Sequence, residues 1–191
     1  RLAGRALVLA PYAHVEVTMA GAPVRVIRRA ELGGAGFQCW VAPEHGEALW
    51  RALSEGGARP VGVGAWEVLR VEAGVPLYGD DVDETVILPE TRLEALVSYT
   101  KGCYIGQEVV ARVKYRGHVN RALAGLVLDG ARVPRHGATL HAEGKEIGRV
   151  TSAVRSLALG VPVALGYVRR EHLDPGTAVS IHDGDAQLPA R

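Results

Sequence analysis

Apolar and polar positions alternate along residues 14–30, HVEVTMAGAPVRVIRRA. Val15, Val17 and Met19 recur with a period of two on one arm and Val24 and Val26 on the other, with Gly21-Ala22-Pro23 between them. That pattern predicts a β-hairpin with one apolar face. GGAG at 33–36 reads as a turn and the following FQCWVA as a third strand. Pro43 stands where a helix would open, and Ala48, Leu49, Ala52 and Leu53 keep helical spacing up to Gly56-Gly57. The spacing predicts a second helix over 65–73, stopped by Gly74 and Pro76. It predicts a third from Pro89, with Leu93, Leu96 and Val97 on its apolar face. A fourth is expected over Gln107–Arg116, burying Val109, Val110 and Val113 and ending at Gly117.

Beyond this point the rhythm changes. ALAGLVLDG, ATLHAEG, KEIGRVTSAV, VALGYVRR and AVSIHDG are short β-rich pieces divided by Gly, Pro and Asp, a pattern typical of a small all-β barrel or sandwich. The expected class is therefore α+β: an antiparallel sheet with flanking helices over 1–116, followed by a small β-barrel over 117–191.

Charge and cysteine content narrow the function classes. A formal charge of +1 provides no general field for nucleic acid or an anionic membrane. No apolar run approaches the ~20 residues of a spanning helix. Two cysteines, Cys39 and Cys103, are too few for a disulfide framework or for a Cys-only cluster site, which makes a reducing cytoplasm the default compartment. The histidines show no metal-ligand spacing and read as surface or loop residues. YGDDVDET (78–85) gathers Asp80, Asp81, Asp83 and Glu84. It lacks the alternating ligands and distal glutamate of a calcium loop, so it reads as an exposed turn. GGAG and GVGAW fall short of a dinucleotide fingerprint.

The chemistry concentrates in TKGCYIGQE (100–108). With a helix opening near Gly106 or Gln107, Cys103 lies just ahead of that helix's N-terminus, where unpaired N–H groups carry partial positive charge. Lys101 adds a full charge two residues away, and both favour a thiolate. Gly102 and Gly106 permit tight turns and leave room beside the sulfur. The residues leave two readings open: an activated nucleophile, or a small apolar residue in a glycine-rich turn. Cys39, in an apolar strand beside Trp40, reads as core.

KGCYIGQE (101–108) resembles, at all eight positions, the signature of the YgfZ branch of the folate-binding YgfZ/GcvT family. LRVEAGVPLYGDDVDETVILPE (69–90) is similar to the segment preceding that signature, and residues 137–168, with their Gly-x-Val-Thr-Ser stretch, to the family's C-terminal barrel. The resemblance implies a missing N-terminal portion and a central folate pocket. It implies Cys103 as functional thiol with Lys101 beside it. It also implies Arg70 and Glu72 as candidates for folate contact, with Tyr104, Gln107 and Glu108 shaping the site, Glu108 through a hydrogen bond from the loop. The implied ligand is tetrahydrofolate or a one-carbon derivative, and the implied partners are iron–sulfur enzymes or cluster-assembly proteins. The aminomethyltransferase branch typically lacks the cysteine and carries an acidic pair where this chain has Gly34-Ala35. The expectation is accordingly an accessory factor for iron–sulfur cluster assembly or repair, with a tetrahydrofolate-dependent aminomethyltransferase as the alternative.

Overall fold

The computed structural model describes residues 7–29, 32, 34 and 36–191. Two compact units divide between Leu69 and Arg70.

The first unit is built on an antiparallel sheet, β1 (His14–Met19), β2 (Ala22–Arg29) and β3 (Gly36–Trp40), in that order. Ala20 and Gly21 both take positive φ, 51° and 78°. They form a two-residue turn whose twist suits the flanking strands. Ala22 and Pro23 therefore belong to β2 rather than to the turn, pairing with Met19 and Thr18. Gly33 and Ala35 of the next expected turn lie outside the described residues. A 3₁₀ turn at Pro43–His45 leads into α1 (Gly46–Glu55), whose Leu49 packs with Met19, Val24 and Val26. Cys39 joins this core half-buried, and desolvation raises its thiol pKa above the ordinary value. The helix α2 (Val63–Glu72) begins in this unit and ends in the next.

The second unit carries the barrel. Its strands are β4 (Arg121–Val127), β5 (Thr139–Ala142), β6 (Lys145–Arg155), β7 (Pro162–Arg169), β8 (Val179–Asp183) and β9 (Ala186–Ala190). They lie in the order β4-β7-β6-β5-β8-β9, every pairing antiparallel. The last strand returns to the first: Ala190 bridges Leu128, and Val127 and Arg191 exchange N–H···O bonds at 2.8 and 3.0 Å. That closure removes the free edges of the sheet. Inward positions fill the interior with Leu126, Leu140, Ile147, Val150, Val168 and Ile181.

Two helical expectations need correction. No α-helix follows Pro89; the chain makes 3₁₀ turns at Leu88–Thr91 and Glu94–Leu96, separated by Arg92 at φ 59°. A left-handed residue cannot continue a right-handed helix, and Leu96 stays 59% exposed. The helix α3 (Gln107–Arg116) forms with the expected bounds. It buries Val110 and half-buries Val113, but leaves Val109 exposed. Among the described residues no helix is long and apolar enough to cross a membrane.

Strands β6 and β7 approach so closely that a Cβ on Gly148 would overlap the Tyr167 carbonyl oxygen, whereas one on Gly125 would meet nothing within 4 Å. We therefore expect Gly148→Ala to destabilise the barrel by roughly 3 kcal/mol or more through forced strand separation, and Gly125→Ala to fold normally. Urea unfolding monitored by circular dichroism distinguishes them. A Gly148→Ala protein as stable as wild type contradicts this strand packing.

Candidate functional site

The C-terminal turn of α2 brings Arg70 against β6. Its side chain is fully buried, an expensive place for a guanidinium unless its donors are met. Nη1 donates to Asp81 Oδ2 at 2.7 Å and to the Val75 carbonyl at 3.2 Å, and Nη2 donates to Ser152 Oγ at 2.7 Å. Asp81 is as deeply enclosed. Its Oδ2 also accepts the Leu77 N–H at 2.9 Å, and its Oδ1 accepts the Thr151 hydroxyl. A register shift between Val150 and Ser152 explains how neighbouring Thr151 and Ser152 are both buried and both reach this network, since a bulge interrupts strict alternation. Asp81 is thus no exposed turn residue, and Arg70 points into the unit rather than toward solvent.

Glu72, two residues on, sits at the surface end of the same attachment. Its Oε1 accepts the Ser156 hydroxyl at 2.5 Å and the Ala158 N–H at 3.3 Å. Ser156 Oγ in turn accepts the Leu159 N–H at 2.9 Å. The Ser156 hydroxyl, followed by the Ala158 N–H, holds the Glu72 carboxyl below the usual carboxylate range. Arg70 and Glu72 therefore grip β6 and the turn after it at two places.

The signature residues form a second cluster. Gly106 adopts φ 88° ahead of α3, a conformation a side chain would strain. The Tyr104 N–H donates to Gln107 Oε1, and the Gln107 N–H donates back to the Tyr104 carbonyl, both at 3.3 Å. Gln107 thereby closes the loop onto the helix start. The Lys101 ammonium lies 4.7 Å from the Tyr104 ring centroid, over its face. Cys103 is a free, solvent-exposed thiol. Glu108 stands exposed in the first turn of α3; it accepts no hydrogen bond from the loop among the described residues, contrary to expectation. Its charge suits the positive end of the helix instead.

Sequence reasoning missed Asp81, Thr151, Ser152 and Ser156. The available signal was the hydroxyl pair Thr151-Ser152 set between Val150 and Ala153-Val154 in β6, because adjacent hydroxyls at interior positions need a polar partner.

Removing one member of the buried pair strands the other charge, so Asp81→Ala or Arg70→Met should cost about 3–5 kcal/mol in denaturant unfolding. The double variant should lose less than the two single losses combined. Additive losses would contradict direct coupling. For Glu72, whose folded-state value is lowered, the stabilisation is present above its unfolded value and lost as pH falls through the folded one. The stability gap between wild type and Glu72→Gln should therefore close on acidification. A gap independent of pH would rule out the charge-assisted anchor.

Comparison with known proteins matches residues 8–101 to the GCVT N-terminal domain and 121–191 to the glycine cleavage T-protein C-terminal barrel domain. An aminomethyltransferase of Nostoc sp. is 38% identical over 94% of this chain and 48% of its own length. One from Streptomyces avermitilis is 38% identical over 87% and 47%. The crystal structure of glycine cleavage system aminomethyltransferase T from Bartonella henselae superposes with a TM-score of 0.83 at 25% identity, over 95% of this chain and 51% of that one. The chain spans about half the length of the curated relatives it matches. These matches overturn the expected role in iron–sulfur cluster assembly or repair. That expectation separated the two branches on KGCYIGQE and on Gly34-Ala35 in place of an acidic pair, whereas the family matches extend over residues of both units. The chain belongs to the glycine cleavage T-protein, or GcvT-like, family.

Proposed function

We propose that this chain serves tetrahydrofolate-dependent aminomethyl transfer. The observation that carries this reading is the similarity to aminomethyltransferases along 94% of the chain. The geometry adds a physical role for Glu72. A carboxyl held ionised by a hydroxyl and a backbone N–H is a fixed acceptor for the N–H groups of a pterin ring. Arg70 acts here as a positioning residue, holding the end of α2, and hence Glu72, against β6. The boundary at 116/117 remains our proposed division between a folate-binding part and the barrel, supported by the end of α3 at Arg116 and the start of β4 at Arg121. KGCYIGQE still resembles the YgfZ branch in sequence. In this reading its loop is a surface feature, and Cys103 is not required for transfer.

Titration calorimetry with tetrahydrofolate tests the ligand assignment. Glu72→Gln should weaken binding by about 10- to 100-fold, the worth of a charge-assisted hydrogen bond, while near-ultraviolet dichroism confirms a folded barrel. Unchanged affinity in a folded variant contradicts the role of Glu72. Folate-dependent turnover of an aminomethylated carrier protein should survive Cys103→Ala within about twofold, well inside the tenfold that 1.4 kcal/mol represents. Loss of turnover in that variant would make the thiol essential and overturn this assignment.

A further inference from the structure

We propose that a cavity at the C-terminal end of α3, wholly within the second unit, binds a free α-amino acid with an apolar side chain. The cavity is open to solvent on one side and has a volume of about 350 Å³, within the range of about 300–1,000 Å³ typical of small-molecule sites. Val110 and Val113 project from α3 on the same side as Lys114, because residues three and four apart share a helix face. With Val119 they supply an apolar floor.

Two charges of opposite sign stand over that floor. Lys114 Nζ lies 3.4 Å from Glu94 Oε2 and 5.0 Å from the Tyr99 ring centroid. An ammonium has three donors, and the Glu94 carboxylate takes one. Lys114 and the neighbouring His118 side chain can therefore receive a ligand carboxylate. A complementary acceptor lies beside them in the Glu94 carboxylate, whose oxygens have lone pairs beyond the one Lys114 engages. Gly117 leaves α3 fully extended, at φ −149° and ψ −167°. Among the described residues no N–H beyond Arg116 returns to the last-turn carbonyls. These carbonyls carry the negative end of the helix dipole. At the cavity itself, Glu94 supplies the acceptor for a ligand ammonium. Carboxylate, ammonium and apolar side chain on one small molecule match the cavity's three kinds of surface; a plain amine or a plain carboxylate matches two.

The site shares no residue with the Glu72 anchor and does not depend on the proposed transfer activity. The test uses L-leucine as probe, with 4-methylpentanoate (leucine without its amine) and 3-methylbutylamine (leucine without its carboxylate) as comparators. Saturable binding to the chain is followed by nuclear magnetic resonance shifts of the Gly117 and His118 amides. Leucine should bind at least about tenfold more tightly than either comparator, and Lys114→Met and Glu94→Gln should each weaken it by about tenfold or more. Both substitutions fall on partly exposed side chains, so the fold should persist. Glu72→Gln should leave leucine binding unchanged. Equal binding of leucine and a comparator, shifts that do not saturate, or indifference to Lys114→Met overturns the proposal.

Discussion

The buried ion pair between Arg70 and Asp81 is the constraint on which the second unit depends. Two opposite charges at 2.7 Å, both shielded from water, hold together segments far apart in the chain: the end of α2, the loop at 75–81 and strand β6. Such a pair is tolerable only when every remaining donor and acceptor is also engaged. Here the Val75 carbonyl, the Leu77 N–H and the Thr151 and Ser152 hydroxyls complete that shell. The network is small, but it specifies one arrangement, because any other leaves a charge in the interior without a partner.

Glu72 inherits its position from that network. With Arg70 locked two residues earlier, the Glu72 carboxylate is delivered to the turn after β6, where Ser156 and Ala158 hold it ionised. One grip is buried and structural; the other reaches the surface, where a ligand can meet it. This gradient from interior to surface along three residues of one helix is what makes the end of α2 the best candidate for folate contact.

The KGCYIGQE loop shows how a local match and a whole-chain match differ in what they carry. Its residues are organised by short-range contacts: Tyr104 with Gln107, Lys101 over Tyr104, and Gly106 in a left-handed turn. An exposed loop of this kind can vary with little cost to the core. The match to aminomethyltransferases instead extends over 94% of the chain, and the match to the family's C-terminal barrel covers residues 121–191.

The hairpin, α1, α2, α3 and the β-rich second half were legible in the sequence because each rests on a periodicity that the core rewards locally. Leu49 on α1 and Val110 on α3 were placed correctly for that reason. The fate of the stretch after Pro89 was not legible, since its apolar spacing suits a helix and only the positive φ of Arg92 breaks it. Asp81 was misread for a related reason. A carboxylate among other acids looks solvated until a partner more than ten residues away and a bulge in β6 enclose it. Sequence by itself determined most of the strands and helices and the broad family they resemble. Tertiary structure alone decided which polar groups would leave water, because that choice depends on partners brought together from distant parts of the chain.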